Sequence, residues 1–229
     1  DKNKAFEFAN ILVEEKGDGV DYERLGYLYE IGDGVHKDTS IAAKYYKIAM
    51  EKGDLFAKQS LAKLYFWGDG VDQDYDKSFK LFNELINTKD FKLLDSYYIS
   101  VGDFYKYGYG SVIKNYSLAM KFYKQSYNNG INKSAGRQIG EMYYEGLGVK
   151  KDIHKAIKWF NIALDSIYAR DLTAEYLGKI YEYGEGNVPI DYIKAFNYYK
   201  IAADQNYSNG SFAVGRFFEL GLHGIQDYE

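Results

Sequence analysis

Two kinds of apolar stripe alternate along this chain. One is clearest at Ala156, Trp159, Phe160 and Ala163, the i, i+3, i+4, i+7 spacing that turns one face of a helix toward a core. The same stripe returns four more times. A capping residue opens it at Asp38, Asp74, Asn115, Asp152 and Asp191, as side chains that bond free N–H groups at a helix start do. Four positions later stands Ala42, Ser78, Ala119, Ala156 or Ala195, then a bulky pair ending in Tyr46, Phe82, Tyr123, Phe160 or Tyr199. The other stripe centres on a small residue: Gly26, Ala62, Gly102, Gly140, Gly178 and Gly215. An aliphatic residue precedes each, from Leu25 to Val214, and an aromatic residue follows three later, from Tyr29 to Phe218. Six positions on comes another glycine (Gly32, Gly68, Gly108, Gly146, Gly184, Gly221), which suits the left-handed turn that ends a helix.

The small residues are 36, 40, 38, 38 and 37 positions apart, and that period predicts a stack of helix pairs burying their apolar faces on one another. Each unit is a first helix (helix A), a glycine turn and a second helix (helix B). A glycine inside a helix costs about 1 kcal/mol against alanine. Close approach of helix B is the expected compensation, because only a small residue lets the two helices pack tightly.

The motif A-x4-G-x2-Y-x2-G-x-G-V-x3-D-x3-A runs through Ala135, Gly140, Tyr143, Gly146, Gly148, Val149, Asp152 and Ala156. It resembles the Sel-1-like repeat, a relative of the tetratricopeptide repeat, and the resemblance covers nearly the whole chain. Departures are Ala62 and Ser78 in the second unit, an insertion around 89–94, and Asn187-Val188-Pro189 in place of the usual valine turn. The resemblance implies an all-α, right-handed superhelical solenoid of antiparallel helix pairs, about twelve helices in a single domain, 1–229. A lone helix B is expected at 1–18, repeats at about 20–54, 56–90, 94–130, 132–167 and 169–207, and a partial repeat at 208–229. In the lone helix, Ala5, Phe8, Ala9 and Leu12 align with Ala156, Trp159, Phe160 and Ala163. Neither end reads as a polar cap. The chain is therefore expected to be a segment of a longer array, or to self-associate through its ends.

Composition narrows the partners. The net charge of −4 gives no basic stripe for nucleic acid, and no apolar run is long enough to span a membrane. Without cysteine, thiol catalysis and disulfides are excluded. Tyrosine reaches 26 residues against one proline, which favours uninterrupted helices packed through large rings. No catalytic set, cofactor loop or metal site is expected. His36, His154 and His223 share no ligand spacing. Asp72, Asp74 and Asp76 begin like a calcium loop, but Lys77 stands where glycine is needed and Asn83 where glutamate is. The G-x-G pairs follow helices rather than preceding them, unlike phosphate loops. Trp159 lies on the helix B stripe, whereas Trp67 lies off the core positions and is a candidate anchor. Sequons at Asn115, Asn132, Asn206 and Asn209 are possible glycosylation sites and favour a parent in the secretory pathway or ER lumen over the cytoplasm.

By analogy with tetratricopeptide arrays, helix A lines a concave binding face. Its inward positions are three before, one after and four after the small residue. They give Glu23, Tyr27, Glu30, Gln59, Lys63, Phe66, Ile99, Asp103, Lys106, Arg137, Glu141, Tyr144, Glu175, Lys179, Glu182, Phe212, Arg216 and Glu219. These vary from unit to unit while core positions repeat, as expected of a surface that binds a protein or peptide partner. Local ion pairs are expected at Arg137–Glu141 and Lys179–Glu182. The family implies a non-catalytic scaffold or adaptor that assembles complexes, for example of the ER-associated degradation type. The alternatives are a hydrolase acting on cell-wall or peptide substrates and a self-associating structural segment.

Overall fold

The computed structural model describes residues 2–88, 94–128, 133–166, 169–205 and 207–222. Among them are twelve α-helices and one short 3-10 turn, Glu185–Asn187. The chain has an all-α repeat solenoid fold. It divides into two compact units, 1–114 and 115–229.

The first unit holds α1 (Lys2–Glu15), α2 (Gly19–Ile31), α3 (Thr39–Glu51), α4 (Leu55–Trp67), α5 (Tyr75–Ile86) and α6 (Leu94–Tyr107). The second holds α7 (Tyr116–Asn128), α8 (Ala135–Glu145), α9 (Ile153–Ala163), α10 (Arg170–Tyr183), α11 (Tyr192–Asp204) and α12 (Ser208–Glu219). Within each unit every helix packs on the next in the chain, and α2 also touches α4, as α10 touches α12.

The five capping residues each accept a backbone N–H from three positions on: Asp38 from Ile41, Asp74 from Lys77, Asn115 from Leu118, Asp152 from Lys155 and Asp191 from Lys194. The carboxyls of Asp152 and Asp191 lie below their usual range first because of that backbone bond and then through the lysine ammonium; at Asp74 the order is reversed. A carboxyl depressed in the fold stabilises it above the unfolded value, near 3.9, and that stabilisation is lost as acid protonates it. Asn115 shows that an uncharged amide makes the same bond, at 3.0 Å. Asp74→Asn, Asp152→Asn and Asp191→Asn together are therefore expected to flatten the fall in melting temperature between about pH 4 and pH 2. Circular dichroism melts across that range check this; an unchanged acid slope would remove the caps from the explanation.

Helix B crosses helix A at the small residue. A Cβ built on Gly140 would lie 2.6 Å from the Phe160 ring, and one on Gly178 would lie 2.6 Å from Tyr199. In the second repeat Ala62 replaces glycine, and Ser78 donates from its hydroxyl to the Ala62 carbonyl at 2.8 Å. Besides the aliphatic residue before the small one, helix A buries the position two after it: Leu28, Leu64, Phe104, Met142, Ile180 and Phe217. The aromatic three after, from Tyr29 to Tyr181, is half-buried and packs laterally, Tyr29 on Tyr45 and Tyr181 on Tyr198.

The second glycine of each turn does more than end a helix. Gly148, at φ +66°, lies so close to the preceding helix B that a Cβ there would meet the Tyr116 Cβ at 2.5 Å. Gly186 stands in the same way against Ile153. These turns therefore also join one repeat to the one before it.

The lone first helix buries only part of the stripe that the alignment gives it. Ala9 is buried and Phe6 and Val13 pack beside it on Leu25 and Leu28, whereas Ala5 and Phe8 are exposed. The aligned Trp159 is half-buried because it leans on Tyr127 of the preceding helix B, at 4.8 Å between ring centroids. Among the described residues Phe8 has no preceding helix to cover it.

Candidate functional site

The helix A positions singled out by their variability separate into two groups. One group is taken up inside the fold. Glu182 is buried and accepts the Tyr199 hydroxyl at 2.7 Å and the Arg216 guanidinium at 2.6 Å. Glu30 accepts the hydroxyl of Tyr46. Burial first, then the glutamate bond, pushes both phenols far above the ordinary tyrosine range. Tyr144 donates to Glu185 at 2.6 Å and is raised for the same two reasons. Lys106 is buried with its ammonium 4.8 Å from the Tyr107 ring centre. Glu175 is buried and binds Lys179 at 2.7 Å, so the expected Lys179–Glu182 pair is corrected to Lys179–Glu175. Arg137 and Glu141 do pair, at 3.5 Å.

A signal for these buried carboxylates was present in the sequence. In two of the three repeats whose helix B carries a tyrosine at this position, at Tyr46 and Tyr199, the helix A position four after the glycine is Glu30 or Glu182; in the third, with Tyr123, it is Lys106. Where helix B carries Phe82 or Phe160, that position is Phe66 or Tyr144. A buried hydroxyl requires an acceptor and a phenyl ring does not.

The other group meets solvent. Tyr27 and Lys63 are exposed, and Trp67 is 73% exposed. Lys63, Phe66 and Trp67 of α4, Phe82 of α5, and Ser100, Asp103 and Phe104 of α6 line one hollow of about 220 Å³. Phe66 is the centre of its wall, meeting Trp67 at 4.8 Å, Tyr109 at 5.0 Å, Tyr75 at 5.2 Å and Phe104 at 5.6 Å, all edge-on. Phe82 needs no acceptor, and Phe66 stands where the first and fifth repeats have Glu30 and Glu182, so this wall of the hollow is aromatic. Small-molecule sites usually exceed about 300 Å³. This one has room for a single large side chain, with Lys63 and Asp103 offering one charge of each sign beside it.

Elsewhere the charged groups are used locally. A shallower hollow of about 700 Å³ at the turn after α8 includes Lys150, Lys151, His154 and Lys155. Lys155 pairs with Asp152 at 3.1 Å, and Lys151 lies 5.2 Å from the Tyr144 ring centre. Asp76, from the acidic run, accepts the Ser111 backbone and hydroxyl at 2.8 Å each. Among the described residues no cluster of three histidines or acids is placed to hold a metal, and no helix is long and apolar enough to cross a membrane. Asn115 and Asn209 are exposed; Asn132, Asn206 and His223 lie outside the described residues.

The Sel1 repeat profile matches residues 22–54, 57–86, 97–131, 135–166 and 174–207. The human protein sel-1 homolog 2 is 37% identical over 65 residues, 28% of this chain and 9% of its own length. A sel1-like repeat-containing protein of Acanthamoeba polyphaga mimivirus is 42% identical over 77 residues, 33% of this chain and 14% of its own. The chain thus matches only a small part of these relatives. Among solved structures, a Sel1 repeat protein from Oxalobacter formigenes superposes with a TM-score of 0.82 at 24% identity, over 97% of this chain and 86% of that one. A protective antigen of uropathogenic Escherichia coli with an SLR fold gives 0.72 at 24% identity, over 96% and 45%. At that identity the two structures share the fold alone.

Proposed function

This chain belongs to the Sel1 repeat family, and we propose that it is a non-catalytic adaptor that grips a protein or peptide partner on the helix A side of α4 and α6. Repeats of this kind generally mediate protein–protein interaction. The observation that carries the reading is the apolar hollow beside Trp67. An exposed tryptophan next to a socket for one side chain is the arrangement of an interface anchor. The partner segment is therefore one that presents a large apolar side chain in an otherwise polar stretch, with the rigid helices already ordered before it binds. Placement in an ER-associated degradation complex rests on the family resemblance and the sequons alone.

Binders selected from a random peptide library against the folded chain test this. Trp67→Ala and Phe66→Ala are each expected to weaken them about 30-fold, the loss of an anchor contributing about 2 kcal/mol. Tyr27→Ala, outside the hollow, is expected to leave them unchanged. Binders indifferent to both α4 variants would overturn the site.

A further inference from the structure

One charge beside the α4–α6 hollow is unlike its counterparts in the other repeats. The position one after the small residue is charged in five helices A, as Lys63, Asp103, Glu141, Lys179 and Arg216. On α8, α10 and α12 each is paired: Glu141 with Arg137 at 3.5 Å, Lys179 with Glu175 at 2.7 Å and Arg216 with Glu182 at 2.6 Å. Asp103 is also engaged within the chain. Lys63 is exposed, and among the described residues no acid pairs with it. The reason lies in its neighbours. The residue four before it, Arg137 or Glu175 in the paired helices, is here Gln59, which donates to Ser96 at 3.3 Å. The residues three and four after it are Phe66 and Trp67. Glu30 of α2 holds the place from which Glu182 reaches Arg216, but it accepts the Tyr46 hydroxyl and forms no ion pair with Lys63.

We propose that the occupant of the hollow is an acidic linear segment of a partner protein, in which an aspartate or glutamate one or two residues from the large apolar anchor pairs with Lys63. The inference rests on the hollow being the binding site, and it names the charge that the partner carries. An unpaired cation on the wall of an aromatic hollow is complementary to a carboxylate. A lysine or arginine entering between the same rings would meet Lys63 as a like charge. Spacing sets where the acid stands. Lys63 lies about one helical turn, ~5.4 Å, before Phe66 and Trp67. An extended segment advances ~3.3 Å per residue. A carboxylate one or two residues from the anchor therefore reaches the ammonium while the anchor fills the hollow.

The probe is a random peptide library displayed on phage, selected in parallel against the intact chain and against its Lys63→Glu variant. The parent is expected to enrich Asp or Glu within two residues of the anchor, and Lys63→Glu to enrich Lys or Arg there. One parent binder is then titrated by fluorescence anisotropy. Replacing its acid by the amide, or Lys63→Met in the chain, is expected to weaken it about three- to five-fold, and the two changes together no further. Raising the salt from about 0.05 M to about 0.5 M is expected to remove most of the difference between parent and Lys63→Met. Because Lys63 is exposed, the thermal melts of both variants are expected to match the parent's. Binders that need Trp67 but carry no acid preference, or that prefer Lys or Arg on the parent chain, overturn the inference and leave the hollow as the site. Binders indifferent to Trp67→Ala, or no binders at all, overturn the hollow and the inference with it.

Discussion

Gly140→Leu is expected to lower the melting temperature by about 6–12 °C, while Gly215→Leu at the equivalent position of α12 leaves it unchanged or raises it slightly. The first substitution adds a side chain where even the Cβ lies 2.6 Å from the Phe160 ring. Phe160 has no room to retreat, because Tyr176 stacks on it at 5.0 Å with an interplanar angle of 10°. Forcing extra volume into such a contact costs about 3 kcal/mol, and in a chain of this length each kcal/mol shifts the midpoint by roughly 2–4 °C. At Gly215 no described neighbour opposes the new side chain, and the gain from replacing a helical glycine is about 1 kcal/mol. The two melts, followed at 222 nm, separate a packing role for the glycines from a purely conformational one. Equal losses at both positions would sink the packing account.

That contrast shows where the sequence was legible. The capping residues and the glycine under helix B were readable because a single local rule governs each: a side chain bonds a free N–H three residues on, and two helices meet only where one lacks a Cβ. The roles of Glu182 and Glu175 were not readable from helix spacing. Lys179 can reach either neighbour on its own helix, and the choice is made by Arg216, which comes from another repeat and takes Glu182. The exposure of Ala5 and Phe8 on α1 was not readable for a related reason. Alignment with α9 assumes neighbours on two sides, whereas α1 packs mainly on α2. The α4–α6 hollow was half visible: Lys63, Phe66, Trp67 and Asp103 were singled out one by one. Their meeting around one cavity needed Phe82 and Phe104 from core positions that the variability criterion passes over.

Arg216→Met is expected to cost about 3 kcal/mol, because it leaves the buried Glu182 carboxylate without its counter-ion. Tyr199→Phe is expected to cost only about 1 kcal/mol, since Arg216 still serves the same carboxylate. The double variant Glu182→Leu with Arg216→Met is expected to regain most of the loss, as apolar replacements of buried ion pairs often do. A double-mutant cycle by urea denaturation checks the coupling; additive losses would mean the pair contributes nothing of its own. The pH dependence follows from Tyr199. Its raised pKa stabilises the fold below the unfolded value near 10, and that stabilisation is lost as alkali deprotonates the phenol. Tyr199→Phe is therefore expected to melt less steeply with pH above about 10 than the parent. Glu182 joins α10 to α11 and α12 at one point, and among the described residues nothing lies within 4 Å of a Cβ built on Gly215 of α12. The effect of Arg216→Met is thus expected to be local first: hydrogen exchange at 208–219 rises before any change in α8 or α9. Loss of protection in all of these helices together would mean that α12 unfolds only with its whole unit.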